Sequence, residues 1–271
     1  MEALDRILGQ VRGTTSDSVE PKSIEYKCIK CKDTGWIYSK ETDNYKKCEC
    51  AEIEHLKSLW EHSGIRAEQQ KLKLNEYKPY DDTTKEARDR AVEYIKSFND
   101  IKGNRENGFG LFGQPGAGKT HIVVAIGTNL LNRKDNPIPV VYMPYLEAMR
   151  ELKANSMDDE YYQKLIDRYC RAKVLIIDDL FKDKIKNGKL LRRDGMIVGL
   201  NEADMKHIYP ILNYRYLNYL PTLISTECTP EMLVDLDEAL AGRILECCGE
   251  NMIKFRDPKY NYRLRKFMKG D

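Results

Sequence analysis

Beyond about residue 75, apolar positions fall into two alternating patterns. Short continuous apolar runs, such as KVLIID at 173–178, are typical of strands buried on both faces. Strands are predicted at FGLFG, PVVYM, KVLIID and TLIST, with helices over about 83–99, from 119, from about 146, and over 159–171, 203–218 and 230–248. Strands that alternate with helices indicate an α/β fold with a parallel, doubly wound sheet.

The first part of the chain has a different pattern. Apolar residues at helical spacing predict a helix over 2–12, and GTTSDSVEPKS at 13–23 is typical of a linker. A second helix is predicted over 51–62. We therefore expect a small N-terminal module, 1–75, followed by a larger domain, 76–271.

Composition and charge narrow the class of protein. Charged residues make up 32% of the 271 residues, yet the formal net charge is only +2. This balance excludes a strongly basic, histone-like binder. The sequence contains no apolar run of about 18 residues, so we expect no membrane span. The N-terminal MEALDRILGQ carries acidic residues and is not a secretory signal, which predicts a cytoplasmic protein.

Four of the eight cysteines are close together in sequence: Cys28, Cys31, Cys48 and Cys50. Disulfides are rare in cytosolic proteins, so this group predicts a metal site. Two close pairs of thiolates suit a closed, tetrahedral, structural Zn²⁺ site. The second pair is tighter than the common C-x2-C spacing, which leaves open that His55 replaces one thiolate. The remaining alternative is a set of free thiols.

GQPGAGKT, directly after the predicted strand FGLFG, fits the phosphate-binding pattern G-x4-G-K-[ST]. Glycines allow successive backbone N–H groups to point at phosphate oxygens, and the helix that follows adds its positive dipole end. Lys119 is expected to reach the β- and γ-phosphates of ATP, and Thr120 to bind Mg²⁺. The predicted nucleotide-binding residues are Gly113, Gln114, Pro115, Gly116, Ala117, Gly118, Lys119, Thr120 and His121.

Two acidic residues end the buried strand VLIIDD. Asp178 is expected to hold Mg²⁺ through water, and Asp179 to orient the attacking water. The second role more often belongs to Glu, whose side chain is one methylene longer, so we expect slow ATP hydrolysis. The alternative is that the two acids only begin a loop.

Taken in order, GLFGQPGAGKTH, VLIIDDL, LNYRYLNYLPTLIST and YRLRK resemble the AAA+ ATPase domain of bacterial and phage replicative-helicase loaders of the DnaC/DnaI type. The resemblance covers about 76–271 and extends more loosely through the cysteine segment. It implies an AAA+ P-loop domain with a parallel sheet and flanking helices, preceded by a small zinc-binding module that contacts the helicase.

The same resemblance implies roles for three further positions. Glu227 stands where the family places its sensor-1 residue, commonly Asn. Arg243 in EALAGRILE matches the arginine finger, which completes the site of a neighbouring subunit. Arg263 matches sensor 2, with Arg265 as the alternative. A guanidinium supplied by a neighbour makes hydrolysis depend on self-association through the AAA+ domain.

The expected function is that of an ATP-dependent protein that loads a hexameric replicative helicase onto single-stranded DNA. The basic segment 181–195 is either a contact for single-strand phosphates or a solvated loop. Three alternatives remain: a transposition accessory ATPase of the IstB type, a metabolic P-loop kinase, and a non-catalytic adaptor that binds nucleotide and zinc only for shape.

Overall fold

The computed structural model describes residues 25–256 and 261–262 of the chain. The predicted helix over 2–12, the predicted linker and the two candidate sensor-2 arginines lie outside the described residues. The chain divides into two compact units, Met1–Ile53 and Glu54–Asp271.

In the first unit, the described residues form one small hairpin. Strands β1 (Trp36–Ser39) and β2 (Asn44–Lys47) pair antiparallel, with Trp36 opposite Lys47. Helix α1 (Glu49–Ser63) follows directly, beginning two residues before its predicted start, and its last ten residues belong to the second unit. The hairpin was not predicted, because its strands are only four residues long and mostly exposed.

The second unit is built on a five-stranded sheet in which every pair of neighbouring strands is parallel. Its strands are β3 (Phe109–Gly113), β4 (Val140–Pro144), β5 (Val174–Leu180), β10 (Thr222–Thr226) and β11 (Met252–Phe255). Their order across the sheet is β11-β3-β10-β5-β4. The predicted parallel α/β sheet is confirmed, and β11 adds an edge strand that the sequence reading missed.

Seven further helices belong to the second unit in the described part of the chain. They are α2 (Asp82–Ile101), α3 (Lys119–Leu131), α4 (Tyr145–Ala154), α5 (Asp159–Cys170), α6 (Glu202–Leu217), α7 (Pro230–Leu236) and α8 (Glu238–Cys248). Side-chain caps fix several of their N-termini. For example, Asp81 accepts the backbone N–H of Thr84, and Asn201 accepts that of Asp204.

Apolar residues pack on both faces of the sheet. On one face, α2 and α3 bury side chains such as Phe98 and Ile126 against the strands. On the other, α4, α5, α6 and α8 bury side chains such as Ile208 and Ile244. Burial on both faces explains why the central strands consist of continuous apolar runs.

Two short hairpins occupy the segment between β5 and α6. Strands β6 (Ile185–Lys186) and β7 (Lys189–Leu190) form one, and β8 (Arg192–Arg193) and β9 (Met196–Ile197) form the other. Their turns are Asn187-Gly188 and Asp194-Gly195, with positive φ at all four residues. Asn-Gly and Asp-Gly are the dipeptides that favour such tight turns. The segment is therefore ordered hairpin structure rather than an irregular loop.

A buried arginine joins distant segments at the other end of the strands. Arg215 of α6 is only 1% exposed. Its guanidinium donates to the backbone carbonyls of Tyr169, Cys170 and Ala172 at the end of α5, and to that of Pro221 just before β10. Burial lowers its pKa to about 9. The carbonyls at the C-terminus of α5 partly offset the cost of burying this charge.

Candidate functional site

The phosphate-binding loop lies between β3 and α3, as predicted. Gly113 and Gly118 have φ values of 97° and 82°, which favour glycine. A Cβ atom at Gly113 would lie 2.3 Å from the carbonyl oxygen of Phe255, and one at Gly118 would lie 2.6 Å from Cε2 of Tyr77. These two positions therefore require glycine for space as well as for backbone conformation.

A cavity of about 640 Å³ opens over this loop. We call it the P-loop cavity. The predicted residues that line it are Pro115, Gly116, Ala117, Gly118, Lys119, Thr120, His121 and Asp179. Gly113 and Gln114 line an adjoining cavity of about 320 Å³ that shares Pro115 and Glu227 with it. All the predicted loop residues therefore line one or both of two adjoining cavities.

Lys119 lies in the first turn of α3 and is 6% exposed. Its Nζ donates to the carbonyl oxygens of Gly113 and Gln114, at 2.8 Å each. The first turn of α3 contains no acidic residue. A cation and a helix N-terminus at one loop make this end of the cavity suitable for phosphate groups.

Asp178, at the carboxyl end of β5, accepts hydrogen bonds from three hydroxyl groups. Thr120 Oγ1 lies 2.9 Å from Oδ1, and Tyr142 OH lies 2.8 Å from Oδ2. Ser225 Oγ also donates to Oδ1. The predicted pair of Thr120 and Asp178 is therefore in direct contact, a suitable arrangement for a hydroxyl and a carboxylate that share one divalent cation.

Tyr142 and Ser225 were not predicted as site residues. Tyr142 is the one polar side chain of β4, and Ser225 lies near the carboxyl end of β10, which also carries two threonines. Both strands pair with β5. Tyr142 also accepts a hydrogen bond from Gln69 Nε2 at 2.9 Å. Burial, together with the negative charge of Asp178, raises the pKa of Tyr142, so its hydroxyl remains a donor to the carboxylate.

Asp179 follows with a left-handed backbone, at a φ of 57°. Its N–H donates to Ser225 Oγ at 3.0 Å, so Ser225 contacts both acidic residues. Asp179 lines the P-loop cavity together with Lys119 and Thr120. Its role in orienting an attacking water remains a prediction.

Glu227 is the first residue after β10, and it is paired with a lysine. Its carboxylate forms an ion pair with Nζ of Lys182, which follows β5. Both side chains line the P-loop cavity. The sequence reading singled out Glu227, but the partner was not predicted, because the two residues are 45 positions apart in the chain.

His121 connects the loop helix to the segment in front of α2. Its Nε2 lies 2.8 Å from the carbonyl oxygen of Lys73, and its ring contacts that of Tyr77 at 5.5 Å. Tyr77 OH in turn donates to the carbonyl of Ala117 at 3.0 Å. Residues that precede the sheet thus form one wall of the cavity.

Arg243 lies on α8 and does not line the P-loop cavity of its own chain. Its guanidinium donates to Asn213 Oδ1 at 3.0 Å and to the carbonyl of Ala239 at 2.8 Å. It lines a separate, open depression with Tyr216 and Glu246. The predicted role of Arg243 in a neighbouring subunit remains a prediction.

The structure brings the four early cysteines together. The sulfur atoms of this cluster all lie within 4.8 Å of one another; they belong to Cys28, Cys31, Cys48 and Cys50. Cys28 and Cys48 Sγ are 3.8 Å apart, and Cys31 and Cys50 Sγ are 3.3 Å apart. His55 is not part of this cluster. Although burial opposes ionisation, the hydrogen bond with Cys50 helps to lower the pKa of the Cys31 thiol to about 7.

The basic segment divides into anchored and exposed cations. Lys182 is paired with Glu227, and Lys184 is buried against Asp204 at 2.6 Å. The exposed cations all lie on the two hairpins: Lys186, Lys189, Arg192 and Arg193. Two of the six cations in 181–195 are thus ion-paired, and the other four lie at the surface.

Together, the parallel sheet, the loop and the Thr120–Asp178 contact define a P-loop nucleotide-binding domain. Residues 54–189 match the model of the family described as IstB-like ATP binding protein. The chain is 41% identical to YqaM of Bacillus subtilis over 229 residues, which are 82% of this chain and 68% of YqaM. The chain belongs to the IstB-like family of ATP-binding proteins.

Two further comparisons extend this likeness. The phage-like element PBSX protein XkdC of Bacillus subtilis is 33% identical over 274 residues, covering 96% of this chain and 97% of XkdC. The crystal structure of the DnaC helicase loader superposes with a TM-score of 0.56 at 21% identity, over 70% of this chain and 100% of that one. The predicted AAA+ fold, of the kind found in DnaC-type loaders, is confirmed. In the described residues, no helix is long and apolar enough to cross a bilayer.

Proposed function

We propose that this protein is an ATP-dependent loader that binds a hexameric replicative helicase and helps to place it on single-stranded DNA. The observation that carries the proposal is the combination, in one chain, of an ATP-binding core with the fold of the DnaC helicase loader and a separate unit built around four cysteines. The core suits a nucleotide switch, and the cysteine unit suits attachment to the helicase.

The geometry supports weak ATP hydrolysis. Lys119 would bind the β- and γ-phosphates, while Thr120 and Asp178 would hold Mg²⁺, which neutralises charge on the phosphates. Asp179 would orient the attacking water. Arg243 of a neighbouring copy would stabilise the charge that develops on the γ-phosphate, and Arg263 would act as sensor 2. Activity would then depend on self-association.

The cysteine cluster fits a zinc ion. Sulfur atoms about 2.3 Å from a tetrahedral Zn²⁺ lie about 3.8 Å from one another. The separation of 3.8 Å between Cys28 and Cys48 Sγ matches this value. Cys31 and Cys50 Sγ are closer, at 3.3 Å, and a small shift of these side chains would bring them to the same separation. The four cysteines would fill every coordination position, so the ion would be structural, in a module over 1–75 that contacts the helicase.

The two hairpins provide a surface for single-stranded DNA. Lys186 lies directly opposite Lys189, and like charges opposite each other destabilise a hairpin. An anionic partner would relieve this repulsion. Binding through phosphates should weaken as salt concentration rises, and Lys186→Gln with Lys189→Gln should reduce the slope of log affinity against log salt. An unchanged slope would remove the hairpins from the DNA contact.

A transposition accessory ATPase of the IstB type is the second candidate, because the matched family is described as IstB-like. The cysteine cluster lies before the matched residues, 54–189, and favours the loader.

A pull-down of the host's purified hexameric helicase with the tagged, intact chain separates the two functions. The loader predicts capture by the native chain, loss of capture when Cys28 and Cys31 are both changed to Ser, and unchanged capture for the paired control, Cys170→Ser with Cys228→Ser. Failure of the native chain to capture the helicase would rule out the loader and favour the transposition function.

A further inference from the structure

An acidic residue faces the P-loop cavity at a position where phosphate groups would repel it. Glu227 follows β10, and its side chain is only 9% exposed. It lines the same cavity as Lys119 and Thr120. A largely buried carboxylate beside a polyanionic ligand is unfavourable unless a cation neutralises it.

Lys182 supplies that cation. It forms the ion pair with Glu227 and also lines the cavity. Because β5 and β10 are neighbouring parallel strands, the residues that follow them meet at the same edge of the sheet, where Asp178 and Asp179 also lie. That edge is where the terminal phosphate and the attacking water are expected.

The ammonium group of Lys182 has more donors than its partner uses. A lysine carries three N–H donors, and one ion pair with Glu227 leaves donors for phosphate oxygens. Lys182 is 34% exposed, whereas Glu227 is almost enclosed, so the lysine side chain is the member of the pair with room to move. Glu227 therefore acts as a holder, and Lys182 as the group that meets the ligand.

We propose that Lys182, positioned by Glu227, binds the γ-phosphate and lets the cavity distinguish ATP from ADP. The inference rests on the proposed ATP binding, but on neither helicase nor DNA contact. The sensor-1 position then works through an ion pair: its acidic residue does not touch the phosphate but orients a cation that does.

Affinities of the intact chain for ADP and for a non-hydrolysable ATP analogue test this assignment. Lys182→Met should weaken binding of the ATP analogue at least about tenfold, the size of one charged hydrogen bond, and leave ADP affinity within about twofold. Lys182→Arg should restore most of the loss. Glu227→Gln should also weaken binding of the ATP analogue selectively, but less than Lys182→Met, because Lys182 keeps its charge and loses only the partner that positions it.

Lys206→Met is the matched control, since this exposed lysine does not line the cavity. It should leave both affinities unchanged. Retained ADP affinity in the Lys182→Met chain also shows that the site is folded. Equal losses for the two nucleotides, or no loss for either, would overturn the assignment. So would a Glu227→Gln chain that binds the ATP analogue as tightly as the native chain. Each of these outcomes is separate from capture of the helicase, which the pull-down measures.

Discussion

The two units of this protein are stabilised in different ways. Among residues 25–53, only the side chains of Cys31 and Cys48 are buried, and both belong to the sulfur cluster. The second unit instead packs apolar side chains on both faces of a five-stranded sheet. A segment with so little apolar burial cannot offset its conformational entropy and needs another source of stability. We therefore expect the first unit to depend on a bound metal ion for its stability, whereas the second depends on its apolar core.

Removal of metal should have the largest effect, and it should unfold the first unit while the second unit stays folded. Cys31→Ser, or a strong chelator, should abolish the fold of residues 25–53, because structural Zn²⁺ contributes on the order of 10 kcal/mol to such a site. ATP affinity should stay within about twofold, since every residue that lines the P-loop cavity belongs to the second unit. Hydrogen exchange, zinc content and nucleotide affinity provide the measurements. Loss of ATP binding together with zinc would show that the second unit also depends on the metal.

Loss of Arg243 should have the next largest effect. Arg243→Ala should reduce assembly-stimulated ATP hydrolysis on the order of a thousandfold, the usual contribution of an arginine finger. Binding of ATP to the isolated chain should not change, because the side chain lies outside the P-loop cavity of its own copy. Turnover measured against protein concentration checks the result. Full turnover in the variant would mean that the second unit needs no neighbour.

A cavity in the core should destabilise the second unit and leave the metal site of the first unit intact, the opposite of metal removal. Ile208→Ala should lower the free energy of unfolding of the second unit by about 3 kcal/mol, because the side chain is fully buried. Zinc content should remain at the native level. Val234→Ala, at a side chain that is 46% exposed, is the control and should cost much less. Denaturant unfolding measures both, and a drop in zinc content in the Ile208 variant would show that the units are not independent.

The smallest predicted effect concerns a single hydroxyl. Tyr142→Phe should slow ATP hydrolysis about tenfold, equivalent to about 1.4 kcal/mol, because one oxygen of Asp178 loses its donor. Tyr145→Phe removes a buried hydroxyl that has no hydrogen-bond partner in the described part of the chain, so it should leave turnover unchanged. Steady-state assays over a range of Mg²⁺ concentrations compare the two. Equal turnover in both variants would contradict the role of Tyr142.

The sequence predicted the features that depend on residues close together in the chain, and it did not predict contacts between distant segments. Four of the five strands of the sheet and the phosphate loop were recovered, because apolar runs and glycine spacing are local signals. The contacts that Tyr142 and Ser225 make with Asp178 could not be read in this way, because they join different strands across the sheet. The early hairpin was missed for the opposite reason: its strands bury almost nothing, so they leave no apolar alternation.

Arg215 has a consequence for the order in which the second unit folds. Its carbonyl partners come from the end of α5 and from the residue before β10, on either side of it in the chain. A guanidinium buried before both segments arrive would be an uncompensated charge, at a cost of several kcal/mol. We therefore expect segments 169–172, α6 and β10 to dock together, with Arg215 buried only when its carbonyl partners are in place. A form in which only one of these segments has docked would then be disfavoured by the unpaired charge.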